Sequence, residues 1–475
     1  MERDKVKISA RERIINLLDK DSFLEIGELA KLRTKTSNLK DISGDGIITG
    51  FGTISGKPVV VASQDFTVLG GTVGAIHAQK LSRAIEFAAD KGFPFIFFIE
   101  SGGARIQEGV EALEGFSKIF AKIIKASGII PQIAIASGAC AGGAAYSGVL
   151  ADFLIFVKEA TMFVNGPAVI SELTGEITNV QTLGGAKVHT TKSGVAHFYA
   201  EDLANAIKIT KDLLEFLPAN AFEFPRTEQG EGLRKVPEIE KIIKQKDGIY
   251  DIKKVINSIV DYHKFLEVQP FFAENIVVGF GRIGGNTFGI IANQPLVLEG
   301  YLDSNASIKA SRFIRFCDSF NIPLLTLVDV PGFLPGVEQE EKGILRHGAK
   351  LLYAYGEATV PKITVILGKA YGGGYIAMCS KNLGADVTLA LPTAKIGVME
   401  AKAAANILFA GQKEAKMKEK EILNYYDNPN NAAIKGVVDI IIKPEDLRNK
   451  IIYATKFLNN LKNKTKVKKH GNLPL

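Results

Sequence analysis

The chain is written twice. The stretch "GFGTISGKPVVVASQDF" at residues 50–66 returns as "GFGRIGGNTFGIIANQP" at 279–295, and the glycine pairs Gly50/Gly279 and Gly52/Gly281 both lie 229 positions apart (279 − 50; 281 − 52). Further on, "HAQKLSRAIEFAADKGFPFIFFIESGG" matches "NASIKASRFIRFCDSFNIPLLTLVDVPG". There Lys80/Lys309, Arg83/Arg312, Phe87/Phe316, Pro94/Pro323, Glu100/Asp329 and Gly103/Gly332 hold the same offset of 229 (309 − 80). Finally "PQIAIASGACAGGAAY" matches "PKITVILGKAYGGGY", with Pro131/Pro361, Gly142/Gly372 and Gly143/Gly373 offset by 230 (361 − 131). A register held over this span marks two copies of one folding unit. The copies are expected at 1–235 and 245–475. The joint lies within Glu223–Gly248, a polar stretch carrying Pro225, Pro237 and repeated glycines, as linkers do.

Each copy reads as α/β. A hairpin comes first, with alternating strands around a Ser-Gly-Lys or Gly-Gly-Asn turn. A helix comes next, whose apolar positions Ile308, Phe313, Phe316 and Phe320 fit a helical period. Then come the wholly apolar runs "PFIFFI" and "PLLTLV", of the kind buried on both faces of a parallel sheet. Each ends at an acidic residue and a glycine loop. Another helix, a second buried strand and a second glycine loop complete the unit. This order removes a decoy: Gly279-x-Gly281-x-x-Gly284 spells a dinucleotide fingerprint, but strand-like "NTFGIIANQP" stands where that motif needs a helix.

Composition narrows the function classes. At 475 residues with a formal net charge of +7 and no basic stripe interleaved with aromatics, the chain is not expected to bind nucleic acid. Three cysteines, Cys140, Cys317 and Cys379, are too few and too scattered for a disulfide framework or a four-cysteine zinc site. They suit a reducing compartment. The acidic residues in "MERDKVKISARERI" argue against a signal peptide or transit sequence. The uncharged run 133–151 approaches the length of a bilayer span, yet its counterpart in the second copy contains Lys369, so a buried core is expected.

The chemistry is expected in the glycine loops. "ESGGARIQEG" and "GACAGGAAY" in the first copy stand opposite "DVPGFLPG" and "KAYGGGY" in the second. Loops of this kind at strand ends expose unpaired backbone N–H groups, and glycine lets a ligand approach closely. Two such loops make a pocket of backbone donors able to hold an oxyanion. Tight packing of helix on sheet would explain one such loop more readily than four in register. The six histidines, His77, His189, His197, His263, His347 and His470, form no metal-ligand spacing, and no Gly-x-Ser-x-Gly elbow is present. His189 and His197 are expected to be structural, and "EAKMKEK" at 414–420 is expected to be a solvated helix rather than a biotin attachment site.

At these residues the chain resembles the carboxyltransferase (β) subunit of biotin-dependent acyl-CoA carboxylases of the propionyl-CoA carboxylase kind. It is equally similar to the α subunit of biotin-dependent methylmalonyl-CoA-type decarboxylases. The likeness runs from "KISARERIINLLD" through "SQDFTVLGG", "SGGARIQEGVEALEG", "LGGAKVHTTKSGVAH" and "ILRHGAKLLYAYGEATVPKITVI" to "KKHGNLPL". It implies two tandem crotonase-like (ClpP/crotonase) domains, an acyl-CoA side at 1–235 and a biotin side at 245–475. It implies that Gly142 and Gly143 hold the thioester enolate oxygen and that Gly373 and Gly374 hold the ureido oxygen of biotin. Gly102, Gly103, Ala104, Arg105, Ala144, Tyr146, Gly332, Phe333, Gly372, Tyr375 and Ile376 would line the substrates.

In this resemblance biotin, carried on a separate protein, acts as the base after carboxybiotin releases CO2, and the acyl-CoA enolate captures it. No metal is implied. The implied partners are a biotin carboxyl carrier protein with a biotin carboxylase subunit, or membrane decarboxylase subunits, around a cytoplasmic homohexamer with no presequence. The acyl group would be acetyl or propionyl. The chain departs from the family's usual residues at Gly368, Gly374, Leu391, Lys395, Glu400 and Ala403, and has Ile376 where propionyl-type members commonly carry Asp. The reverse, decarboxylating direction and a catalytically weak scaffold are the alternatives.

Overall fold

The computed structural model of the chain describes residues 8–31, 43–245, 248–410, 415–426, 428–458 and 468–473. Contacts divide it into two compact units, one running to Glu223 and regaining the tail at 468–473, the other beginning at Phe224. The division falls at the N-terminal edge of the joint expected at Glu223–Gly248. Val236, Ile239 and Ile243 explain why the rest of the joint belongs to the second unit: they are buried in its hydrophobic core. Residues 468–473 belong to the first unit, although the repeat assigns them to the second. The Asn472 amide N–H donates to Ser127 Oγ at 2.9 Å and Asn472 Nδ2 to Asp152 Oδ1 at 3.3 Å, both in the first unit.

The first unit is built on β1 (Leu24–Ile26), β2 (Ile47–Ile54), β3 (Lys57–Gln64), β4 (Phe95–Ser101), β5 (Gln132–Ala141), β6 (Phe153–Val157), β7 (Thr161–Phe163) and β8 (Phe198–Ala200). The sheet order is β1-β2-β3-β4-β5-β6-β8, with β7 pairing β5. Strands β1 to β3 are antiparallel neighbours; from β3 onward every pairing is parallel. The helices Ala75–Lys91 and Val110–Ala126 make the crossovers that parallel strands require. The first of them stops where Gly92 takes a left-handed conformation (φ +68°).

The second unit repeats this with β9 (Phe265–Val268), β10 (Ile276–Ile283), β11 (Asn286–Asn293), β12 (Leu324–Val330), β13 (Lys362–Tyr371), β14 (Val387–Ala390), β15 (Lys395–Gly397) and β16 (Ile440–Ile441). Its order is β16-β14-β13-β12-β11-β10-β9, with β15 pairing β13. The repeat read from sequence is thus a repeat of strand order and register. Every residue of β4 and β12 is buried, as their unbroken apolar runs require. The glycines of the apparent dinucleotide motif lie in and after β10, and strand β11 comes directly after them. Among the described residues no helix is long and apolar enough to cross a membrane, and the 133–151 run is β5 and a short helix.

Candidate active site

The glycine loops are positioned by the same irregularity in both sheets. The β4/β5 register slips between Ile99 and Ser101, and the β12/β13 register slips between Val328 and Val330. The residue at each slip is acidic, Glu100 or Asp329, and is turned into the protein. A side-chain amide holds its backbone: the Glu100 N–H donates to Gln64 Oε1 at 3.1 Å and the Asp329 N–H to Asn293 Oδ1 at 3.2 Å. On the neighbouring strand Gly138 and Gly368 have no Cβ, and the two carboxylates fill that space. A bulge of this type bends a strand end and re-aims the residues beyond it, here the first glycine loop of each unit.

The two acids are neutralised differently. Glu100 forms a buried ion pair with Arg13. Asp329 accepts from the Tyr250 hydroxyl at 2.9 Å and from the Lys369 backbone N–H at 2.9 Å. Burial pushes the Asp329 carboxyl up to about 6, while those two hydrogen bonds and the charges of Lys369 and Lys395 act the other way.

The second glycine loops turn on one residue each, Gly142 (φ +57°) and Gly372 (φ +54°), in the region that favours glycine. Beyond each turn a short helix opens, Gly143–Val149 and Gly372–Ala377. The Gly142 N–H donates to the Phe163 carbonyl at 3.1 Å. Gly142 thus makes the turn with its amide engaged inside the fold. The first-turn amides of Gly143 and Ala144 are the donors a helix start leaves without intrahelical partners.

The other expected residues take different places in the fold. In the first unit the Gly102 N–H donates to Gly70 O at 2.9 Å, the Gly103 N–H donates to Ser101 Oγ at 3.1 Å, and Gly103 O accepts from Val73 at 2.8 Å. Ala104 bridges Val73, as Phe333 bridges Leu302 in the second unit, where the Leu302 N–H donates to Gly332 O at 3.0 Å. These residues brace the loops. The Arg105 guanidinium is wholly buried, donating to Asp45 at 2.6 Å, Glu108 at 2.7 Å and Thr72 O at 2.7 Å. Those contacts tie its loop to the turn at Asp45 and to Thr72. Gly143 and Gly374 sit where close packing allows no side chain. A Cβ on Gly143 would lie 2.7 Å from the Phe116 ring, and one on Gly374 would lie 2.7 Å from Gly332 Cα. Ala144 is buried beside Gly143, and Tyr146, half-exposed, meets Phe120 edge-on at 6.3 Å.

Gly372, Gly373, Tyr375 and Ile376 come together on a cavity of about 530 Å³ in the second unit, a size that suits a small organic ligand. Phe333 packs beneath, 3.6 Å from where a Gly373 Cβ would stand. The remaining walls are not legible in the sequence motifs. They are β15, the helices Ala415–Tyr426 and Pro429–Ile434 and the residues that follow the second of these, which bring Tyr425, Tyr426 and Lys435. Gly397 makes this possible. It pairs with Tyr371 where Phe163 pairs with Ala141 in the first unit. A Cβ there would lie 2.5 Å from the Tyr426 ring, which also stands 6.2 Å from the Tyr371 ring. The mismatch of Gly397 with Phe163 was the available signal.

No carboxylate, histidine, serine or cysteine lines this cavity among the described residues. Burial pushes the Tyr375 phenol up to about 12, so it stays protonated. The site can hold a flat polar ring against aromatic walls and backbone amides, but offers it no general base near neutrality. The two histidines are structural: His189 Nε2 lies 2.7 Å from Met162 O, and His197 Nδ1 accepts from the Leu154 N–H at 3.0 Å. The described residues contain no His, Cys, Asp or Glu cluster fit for a metal ion.

The carboxyl transferase domain family matches residues 1–473. The methylmalonyl-CoA carboxyltransferase 12S subunit of Propionibacterium freudenreichii subsp. shermanii is 50% identical, over 98% of this chain and 92% of its own length. The methylmalonyl-CoA decarboxylase subunit alpha of Veillonella parvula is 48% identical, over 99% of this chain and 93% of its own. The human mitochondrial propionyl-CoA carboxylase beta chain is 46% identical, over 99% and 88%. The crystal structure of the transcarboxylase 12S hexamer with methylmalonyl-coenzyme A and methylmalonic acid bound superposes with a TM-score of 0.95 at 49% identity, covering 98% of this chain and 93% of that one.

Proposed function

The chain belongs to the carboxyl transferase domain family and is a carboxyltransferase of the biotin-dependent acyl-CoA carboxylase type, and from that membership we propose that it moves a carboxyl group between biotin on a separate carrier protein and the α-carbon of a short acyl-CoA. The observation that carries this is the cavity at Gly372, Gly373 and Ile376. It has backbone donors and aromatic walls, and no catalytic base among its described residues. A ureido ring that takes up the α-proton itself needs nothing more from the protein than orientation and a place for its oxygen.

In this reading the second unit takes the biotin ring, with Gly373 presenting an amide and Gly374 letting the loop close on Gly332. The first unit takes the acyl-CoA, with the amides of Gly143 and Ala144 facing the enolate oxygen. Backbone donors fixed before the reaction stabilise the charge that develops there. The acyl pair is propionyl-CoA and methylmalonyl-CoA, as in the names of the relatives. The decarboxylating direction uses the same site and is supported by the 48% identity to the Veillonella subunit. We further propose a homohexamer, in which exposed apolar residues such as Leu173, Ile177, Val398 and Ile407 become covered. Three buried free cysteines suit a cytoplasmic setting.

The test is transfer of label from carboxyl-labelled methylmalonyl-CoA to a purified biotinylated carrier protein, with an avidin blot of the chain alone. Label on the carrier and a blank blot are expected. An unlabelled carrier with every malonyl-type CoA tried, or biotin on the chain itself, would overturn the reading.

A further inference from the structure

Lys435 is the one charged side chain among the described residues lining the second-unit cavity. It is exposed at the rim. Its ammonium stands 5.4 Å from the centre of the Tyr425 ring, on whose face a cation is held by the ring quadrupole. Tyr425 is tied to its neighbours: its carbonyl accepts from Asn431 Nδ2 at 2.9 Å, and its ring lies 6.3 Å from that of Tyr426. Tyr426 in turn fills the space above Gly397. The Lys435 charge is therefore carried on an aromatic wall of a cavity whose other lining residues, among those described, are neutral. Such an arrangement leaves a neutral ring without a charged partner and meets an anionic one with a single cation.

We infer that Lys435 is a positioning residue for an anionic substituent on the ring bound in this cavity, which, on the function proposed above, is the carboxylate of carboxybiotin. The inference rests on that reading and adds to it a residue that distinguishes the loaded carrier from the empty one. From the rim, Lys435 holds the carboxylate as the ring enters and does not take part in bond making. Removing it should therefore weaken binding of the loaded carrier more than it slows the subsequent transfer.

The test uses the full chain with a biotinylated carrier protein, run in both directions, comparing wild type, Lys435→Gln and Lys435→Arg. With carboxylated carrier and propionyl-CoA, K435Q should raise KM for the carrier about 10-fold while kcat stays within about 2-fold, the scale of a lost charge-assisted contact at an exposed site. The equilibrium constant of the overall transfer is fixed, so kcat/KM must fall equally in the direction that loads the carrier. There the fall should appear in kcat, with little change in KM for the empty carrier. K435R should restore both. A KM for empty carrier that rises as much as that for loaded carrier would make Lys435 a carrier-protein contact or a structural wall residue and overturn the inference. So would unaltered constants in K435Q. Wild type that transfers no label to the carrier in either direction would remove the functional reading and this inference with it; wild-type transfer with an unaffected K435Q removes the inference alone.

Discussion

Asp329 and Gly368 are made for each other: the glycine's missing Cβ is the space that the Asp329 carboxylate occupies. Lys369, the next residue along the strand, donates its backbone N–H to the other carboxylate oxygen at 2.9 Å. Gly368→Ala should therefore displace the carboxylate, strip the buried Tyr250 hydroxyl of its acceptor, and cost roughly 2–4 kcal/mol of stability. Gly373→Ala, whose Cβ would meet only the Phe333 ring at 3.6 Å, is the control and should stay within about 1 kcal/mol of wild type. Urea denaturation of the three proteins reads this, and coincident midpoints for wild type and G368A would refute it.

The same carboxyl gives a dependence on pH. Its folded value of about 6 lies above the usual 3.8, so between those values the folded state holds a proton that the unfolded chain has released. Stability from this group is intact below pH 3.8, falls as the pH rises towards 6, and is fully lost above it, by an amount on the order of 3 kcal/mol. Asp329→Asn removes the titration. The stability of D329N relative to wild type should rise between pH 4 and pH 7, measured by denaturant titration at both; a constant difference would show that Asp329 does not titrate in this window.

The two inner glycines should fail in different ways when enlarged. Gly373→Val adds bulk at the cavity wall, so melting should stay near that of wild type while transfer falls about 10²–10³-fold. Gly143→Val drives a branched side chain into the buried Phe116 ring, 2.7 Å from the first added atom, so this variant should lose stability as well as activity. Adding Phe116→Leu should recover part of the melting temperature. Thermal melts beside single-turnover transfer separate the two effects, and wild-type transfer by a folded G373V would mean that the second-unit turn is not catalytic.

Ile376 faces the cavity from near the end of its short helix and is half-exposed. On the function proposed above, the acyl group must approach the ring held in this cavity, so Ile376 would meet the end of the acyl chain from the biotin side; an apolar side chain there distinguishes acyl groups only by shape, and one methylene in an apolar site is worth on the order of 10–200-fold. Acetyl- and propionyl-CoA should both be turned over, with a preference no larger than that. Ile376→Asp should shift the ratio of their kcat/KM values. A transfer series from two to eight carbons tests this, and a preference for six carbons or more would be incompatible with the site.

The repeat, the α/β succession of each copy, the buried strands β4 and β12 and the four glycine loops were all legible in the sequence. The reason is that these features are local or periodic: apolar runs specify buried strands, glycines specify turns, and a constant offset carries one unit's pattern onto the other. The equivalence of Glu100 with Asp329 was legible in the same way. Which of these groups are engaged inside the fold follows only from tertiary contacts. The Gly142 amide is used by Phe163, a residue 21 positions on (163 − 142); Arg105 is enclosed by Asp45 from a distant turn; Tyr426 enters over Gly397 from a helix with no counterpart in the repeat signal; and Asn472 returns to Ser127 across almost the whole chain. Such contacts depend on which donors, charges and volumes the folded chain brings into register, and residues far apart leave no period in the sequence by which to find one another.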